Sequence, residues 1–459
     1  MSDFSELQSG LSGSVIERGH PGFEDAVRGF NLYYSQSPDV VVTPATTADV
    51  VEAVRFAAAH ALPVRVQATG HGAHHLITDG LLVDTRLLDE VSVDATAKTA
   101  TFGAGTRWAS IVAAAASKNL APITGSSANV GAVGYLLGGG LGPLVRSHGV
   151  SSDYVLSATL VTADGELVMA SADSNPELFW ALRGGKGGFG VVTEMTIRLV
   201  DIPSLYAGSL TFDGAHLETV LTAWAEYVLT AHDDVSTSVG IVHLPDVEQI
   251  PEHLRGKTMV SVRFAFPGSV EQGERLAAPL RAIAPVLIDA LGPMPLGDVA
   301  AIHADPTDPS PAWGRAVMLK GPGQPDLDSA FVAALLEQVG VGVPSPIMVA
   351  ELRHLGSAAI RDVAGGSAVG GRSSNFTLML VGAPNPALFE SALPDAADAV
   401  AAAIAPWVSP EITINFAGGA GAAVFESAWP AETFARLAAV RASVDPTGLF
   451  PYGPHDIAG

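Results

Sequence analysis

Apolar positions early in the chain switch between two periods. Residues 39–70, DVVVTPATTADVVEAVRFAAAHALPVRVQATG, open with a short apolar run that reads as a strand. Val50, Val51, Val54 and Ala58 then recur at helical spacing, with Thr47 as the expected cap, and Val64 to Gln67 alternate as a second strand. The segment GLLVDTRLLDEVSVDATAKTATFGAG reads as short strands around turns, and RWASIVAAAASKNL as a helix ending near Asn119. VLSATLVTADGELVMAS predicts a hairpin turning at Asp164-Gly165, and GFGVVTEMTIRLV another strand. Beyond the proline-containing VDIPSLYAG at 200–208, helical patterns (LETVLTAWAEYVLTA, PDLDSAFVAALLEQV) alternate with strands (KTMVSVRFAF, PIMVAELRHLG, SNFTLMLVG). That alternation predicts a helix-covered antiparallel sheet as a second domain. The last 50 or so residues predict a strand, a helix at AETFARLAAVRASV and the closing turn DPTGLFPYGP.

Composition narrows the class. With 459 residues and 48% apolar content the chain can bury a large core and is expected to form two or three domains as a soluble globular protein. Asp and Glu outnumber Lys and Arg 47 to 24, a formal charge of -23, which argues against nucleic acid or an anionic membrane surface as a partner. The count of cysteines is 0, so disulfides, thiolate nucleophiles and thiolate metal sites are excluded. The N-terminal MSDFSELQSGLSG lacks the pattern of a signal peptide, and no apolar run reaches the length of a membrane span. A cytoplasmic location is the expectation.

Three segments are rich in glycine: ATGHGAHH, GSSANVGAVGYLLGGGLG (125–142) and RGGKGGFGVV (183–192). Glycine lets backbone amides approach an anionic or planar ligand, so several such loops together suggest a phosphorylated cofactor, although any one of them also serves as an ordinary turn. There is no Walker-type loop, and Gly138-Gly139-Gly140-Leu141-Gly142 lacks the Gly-x-Gly-x-x-Gly spacing of the usual dinucleotide fold.

In order and content these segments resemble the FAD-linked oxidases of the vanillyl-alcohol-oxidase superfamily, in the branch of berberine-bridge-type and 6-hydroxy-D-nicotine oxidases. Gln67-Ala68-Thr69-Gly70-His71 resembles that family's Arg-Ser-Gly-Gly-His loop. VGAVGYLLGGGLG resembles its Val-Gly-x-x-Gly-x-x-x-Gly-Gly-Gly-x-Gly element, NPELFWALRGGKGGFGVVTEMTIRL its Asp-Leu-Phe-Trp-Ala-Leu-Arg-Gly-Gly-Gly-Gly-Asn-Phe-Gly run, and DPTGLF its Asp-Pro-x-Asn-x-Phe. The resemblance implies an α+β, two-domain FAD-binding fold. Its FAD domain would be split into residues 1–203 and 406–459, with an antiparallel-sheet substrate domain at 204–405. It implies FAD bound through Gln67, Ala68, Thr69, Gly70, His71 and Gly72, then Ser127, Val130, Gly131, Gly134, Tyr135, Gly139, Gly140 and Gly142, and finally Gly190 and Val192. His71 would be the covalent tether to the flavin, and Val130 the small gatekeeper that admits O2. The implied activity is hydride transfer from an alcohol or amine carbon of a small organic substrate, with O2 reduced to H2O2.

Departures from the family pattern matter equally. Ser127 stands where doubly tethered members carry cysteine, so only a single flavin bond is expected. No acid lies between Asn375 and Val381, where plant members hold their base, and Thr413-Ile414-Asn415 replaces a Tyr-x-Asn. The remaining catalytic candidates are Tyr135, Asn415 and Glu351. Glu351 and Arg353 should share a strand face, opposite His354, where a structural ion pair is the plainer reading. Tyr452 and His455 lie in the C-terminal return. His71, His74 and His75 lack the acids of a metal set, so no metal is expected. The apolar strands IMVAEL and NFTLML suggest a hydrophobic pocket. A flavin dehydrogenase or monooxygenase-like enzyme, or a flavin-binding protein without turnover, stays open on sequence, as does homo-oligomerisation.

Overall fold

The computed structural model describes residues 4–248, 250–418 and 425–452. The first sheet has four strands, ordered Ser14–Glu17, Val40–Thr43, Leu81–Asp84, Val64–Gln67; its last three strands are parallel. The helix Thr47–Ala59 makes the crossover between Val40–Thr43 and the sheet, burying Val50, Ala53, Val54 and Ala57. Its cap is Thr46 rather than Thr47: the Thr46 hydroxyl accepts from the Asp49 amide, and the Asp49 carboxylate accepts in return from Thr46. Asp49 supplies the acidic partner that completes this reciprocal box, and counting back three residues from it gives the cap.

The second sheet has five strands between Val91 and Arg198, including the hairpin Val155–Val161 and Leu167–Ser171. Gly165, at φ +74°, makes its turn as the Asp-Gly pair predicts. The third sheet is antiparallel, has eight strands, and is built entirely from residues between Tyr206 and Gly382. Helices Leu217–Val228, Val270–Arg281, Ser329–Val339 and Ala392–Ala403 pack their apolar residues against one face of it. On the opposite face a row of polar residues runs across the strands: Arg263 pairs in register with Ser238, Ser238 with Arg353, and Arg353 with Thr377. This face looks toward the first two sheets.

Buried polar contacts fasten the units together. Arg372 forms a 2.5 Å ion pair with Asp153, both nearly buried. Arg146 donates to the carbonyls of Val235 and Leu355 and contacts His354 Nε2 at 3.1 Å. The C-terminal return packs on the first unit: Val64 donates 2.8 Å to the Leu449 carbonyl, and Arg436 grips Glu177 through two bonds while lying over Trp180. The helix Ala431–Val444 forms as its pattern predicts. The strand expected before it does not: Ile414–Phe416 make a 3₁₀ turn, and Val408 contributes only an isolated bridge to Leu319. Two prolines, Pro406 and Pro410, lack ladder donors and flank that bridge. Among the described residues no helix is long and apolar enough to cross a membrane.

Candidate cofactor and substrate site

The loop Ala68–Ala73 leaves the sheet at the C-terminal end of the parallel strand Val64–Gln67. Gly70 has φ +69°, and a Cβ there would sit 2.7 Å from the Cα of Gly29, so the close approach of two backbones requires glycine. The amides of Gly70, His71 and Gly72 donate to nothing among the described residues. His71 stacks on Phe30 at 3.8 Å and 13°, and its Nδ1 lies 2.8 Å from the Thr69 hydroxyl, which also accepts from the Gly131 amide. His71 Nε2 is buried and has no partner. Burial, reinforced by the Arg107 guanidinium, pushes the His71 pKa down to about 4, so its imidazole is neutral at pH 7.

The second glycine segment meets this loop at Gly131, beyond which Ala132–Leu137 form a short helix. A Cβ at Gly134 would meet nothing within 4 Å, whereas Gly140 and Gly142 serve packing. Gly140, at φ +93°, makes room for the Tyr135 ring, and Gly142 for the Thr124 carbonyl. Tyr135 also stands edge-on to Trp108 at 5.8 Å. Its hydroxyl is buried without a well-formed hydrogen bond, and burial raises its pKa to about 12. The hydroxyls of Thr106, Thr124, Ser127, Ser151 and Ser152 and the Trp108 indole N–H are likewise buried and unpartnered. Such a concentration of orphaned donors and acceptors along the second glycine segment, which meets the loop of free amides at Gly131, fits a large polar ligand.

Asn415 sits where the C-terminal return crosses this helix. Its Nδ2 donates 2.8 Å to the Tyr135 carbonyl, and its Oδ1 accepts at 2.6 Å from Lys186, whose ammonium also donates 2.8 Å to the Gly134 carbonyl. Glu351 lies on the polar face of the large sheet, where its carboxylate accepts from Ser238 at 2.8 Å, Arg263 at 2.9 Å and Arg353 at 2.8 and 2.9 Å. Its own burial opposes ionisation, but Arg353 and Arg263 hold its pKa well below the usual carboxylate range. A carboxylate with its lone pairs so occupied anchors two guanidiniums and is a poor proton acceptor, so its geometry is that of the structural ion pair. His354 turns away from this cluster, stacking on Phe376 at 4.9 Å.

The structure therefore brings together Thr69, Gly70, His71, Gly72, Val130, Gly131, Gly134, Tyr135 and Asn415. Ala68 lines the Gly131 contact. The Gln67 side chain instead turns into the wall, donating to the Val27 carbonyl at 3.4 Å. Val192 belongs to the second sheet and its core, and Gly190, immediately before that strand, is pressed against the Val161 carbonyl. Gly139, at φ +97°, faces Val369. His74 closes on its own loop through Gly72, and no metal-binding group of side chains occurs among the described residues. Tyr452 packs against Gly187 and Phe425; His455 lies outside the described residues. Sequence reasoning missed Lys186, although that lysine interrupts a glycine run. It also missed Arg263, His303 and Asp305, which come from segments with no motif. Asp305 accepts from Ser126 at 2.6 Å, which ties the second glycine segment to the large-sheet unit. The cavity at this junction, about 20 Å³, is lined by Ser236, Ser238, Arg263, His303, Arg353 and His354 as well as apolar residues, so it is more polar than the strand patterns suggest.

A parallel strand feeding a glycine loop, with a second glycine segment meeting it at Gly131, forms a cradle lined by free amides and buried, unpartnered polar groups. Residues 38–171 match the FAD binding domain family. The chain is 31% identical over 310 residues to (R)-6-hydroxynicotine oxidase of Paenarthrobacter nicotinovorans, which covers 66% of this chain and 65% of that protein. The alignment thus spans just under two thirds of the relative's length. Among solved structures, 6-hydroxy-D-nicotine oxidase from Arthrobacter nicotinovorans superposes with TM-score 0.80 over 96% of both chains at 24% identity. BBE-like 1 of Physcomitrella patens superposes with TM-score 0.83 over 99% of both chains at 20% identity. Residues 38–171 thus carry an FAD binding domain, and the described chain shares its fold with these solved structures.

Proposed function

We propose that the protein is an FAD-dependent oxidase of a small organic alcohol or amine, with O2 as the electron acceptor and FAD tethered covalently through His71. The observation that carries this reading is the neutral, buried His71 imidazole, with Nε2 unpartnered at the head of a loop of free amides inside the FAD binding domain. When bound, FAD supplies the two-electron acceptor for a substrate C–H bond. Everything else falls to the chain. The amides of Gly70, His71 and Gly72 are suited to hold the pyrophosphate. Thr69 fixes the His71 ring from one side and Phe30 from the other, leaving Nε2 for the tether. Tyr135, protonated across the physiological range, donates a hydrogen bond to orient a substrate oxygen or nitrogen and does not remove its proton. Arg353, fixed by Glu351 and influencing Tyr135, adds positive charge on the substrate side. The Arg372–Asp153 pair helps keep the interface closed to water.

Acid-denatured, desalted protein tests the cofactor reading. A yellow polypeptide heavier by one FAD supports it, and a colourless chain of unmodified mass removes the tether. Oxygen consumption with matching peroxide release separates an oxidase from a dehydrogenase.

A further inference from the structure

Lys186 stands at a backbone position, φ +69°, that disfavours any side chain, yet it is the residue that interrupts the glycine run. Its ammonium has two neutral oxygen partners, the Gly134 carbonyl and Asn415 Oδ1, and forms no ion pair among the described residues. Two acceptors leave one N–H uncommitted. The other cations near the glycine loops are differently placed: Arg353 is bound to Glu351, Arg107 is exposed beside His71, Arg183 donates to the Gly366 carbonyl, Arg441 to the Gly185 and Gly187 carbonyls, and Arg65, also without an ion pair among the described residues, lies beside His75 under the first loop. Lys186 therefore holds an uncompensated, half-buried positive charge within one helical turn of Gly131, in a chain whose net charge is -23. Leaving a cation unpaired in such a place is unfavourable unless something negative completes it.

We infer that Lys186 is the cation that this chain sets against the bound FAD, stabilising negative charge as it accumulates on the flavin ring. The inference rests on the reading that FAD occupies the glycine loops. Burial lowers the Lys186 pKa to about 8, which leaves it mostly protonated at pH 7. At an effective dielectric of about 20, a unit charge roughly 10 Å away favours an anion by more than tenfold.

Sulfite provides the test on the holoenzyme. Its sulfur lone pair forms a bond to flavin N5, and the displaced electron pair remains on the ring as negative charge, so no further oxidant or reductant takes part. At pH 7, Lys186→Gly and Lys186→Met should each raise the sulfite Kd at least tenfold and lower the flavin midpoint potential, whereas Lys186→Arg should keep both near wild type. Lys186→Gly suits the left-handed backbone, so loss of folding does not confuse the result. Flavin-loaded Gly and Met variants with unchanged potential and unchanged sulfite binding would overturn the inference while leaving the FAD reading intact. A wild-type protein without flavin would overturn both.

Discussion

Replacing Glu351 by glutamine separates a structural carboxylate from a catalytic one. The side chains of Glu351, Arg263 and Arg353 are 7%, 13% and 16% exposed, so solvent screens this cluster little. The amide keeps the volume but removes the charge, and its NH2 faces guanidinium donors where an acceptor stood. Breaking a buried pair in this way costs about 3–5 kcal/mol. Urea denaturation followed by tryptophan fluorescence should show a lower midpoint for Glu351→Gln. Adding Arg263→Met should cost less than the two single effects combined, with a coupling of about 0.5–3 kcal/mol. The sign of the pH dependence follows from the depressed pKa of Glu351. Its contribution is present above the unfolded carboxylate value of about 4.5 and is lost as pH falls through the folded one. The stability gap between wild type and Glu351→Gln should therefore be flat from about pH 6 to 8 and narrow in acid. A variant with the wild-type urea midpoint but turnover reduced by about a thousandfold, in the range of a lost general base, would refute the reasoning and make Glu351 a proton acceptor.

Gly70→Ala places a Cβ 2.7 Å from Gly29 at φ +69°. A conformational penalty of about 1–2 kcal/mol plus the clash should lower the melting temperature and the flavin-to-protein absorbance ratio. In His71→Ala the FAD mass adduct should vanish from the denatured chain while the fold, checked by circular dichroism, persists. Tyr135→Phe removes a hydroxyl with no well-formed partner, so thermal stability should change by less than about 1 kcal/mol while turnover falls at constant pH. His71 and His74 both have pKa values lowered to about 4, principally by burial. Protons bind the unfolded chain first as pH drops, so their contribution to stability is intact above about pH 6.5 and declines toward pH 4, which acid titration of the apoprotein can follow.

Local chemistry made much of this molecule legible. The hairpin at Asp164-Gly165, the crossover helix behind Val50 and Val54, and the loop at Gly70 each depend on residues adjacent in sequence, where propensity and turn geometry act directly. The charged cluster was half visible: alternation puts Glu351 beside Arg353, but Arg263 and Ser238 arrive by cross-strand register, which the sequence does not print. Lys186 and Asn415, bonded at 2.6 Å, lie in segments that meet only when the return folds back. The Ile414–Phe416 segment misled because its apolar alternation has strand period, while its backbone found no ladder partner. Gln67 keeps its place at the head of the loop, where the backbone rather than the side chain was expected to bind, and its amide faces Val27.

The bond from the Val64 amide to the Leu449 carbonyl joins residues some 400 positions apart, and Leu449 and Phe450 complete the apolar layer behind the first sheet with Val64, Leu81 and Val83. Asp445 locks that turn by accepting from both the Leu449 and Phe450 amides. At ordinary rates of translation, on the order of 20 to 80 seconds pass between synthesis of the strand under the glycine loop and synthesis of its closing segment. The N-terminal unit must wait through that interval with part of its apolar layer uncovered. A nascent chain stalled before Leu449 would leave Val64, Leu81 and Val83 without that cover, an exposed apolar layer of the kind a holdase binds.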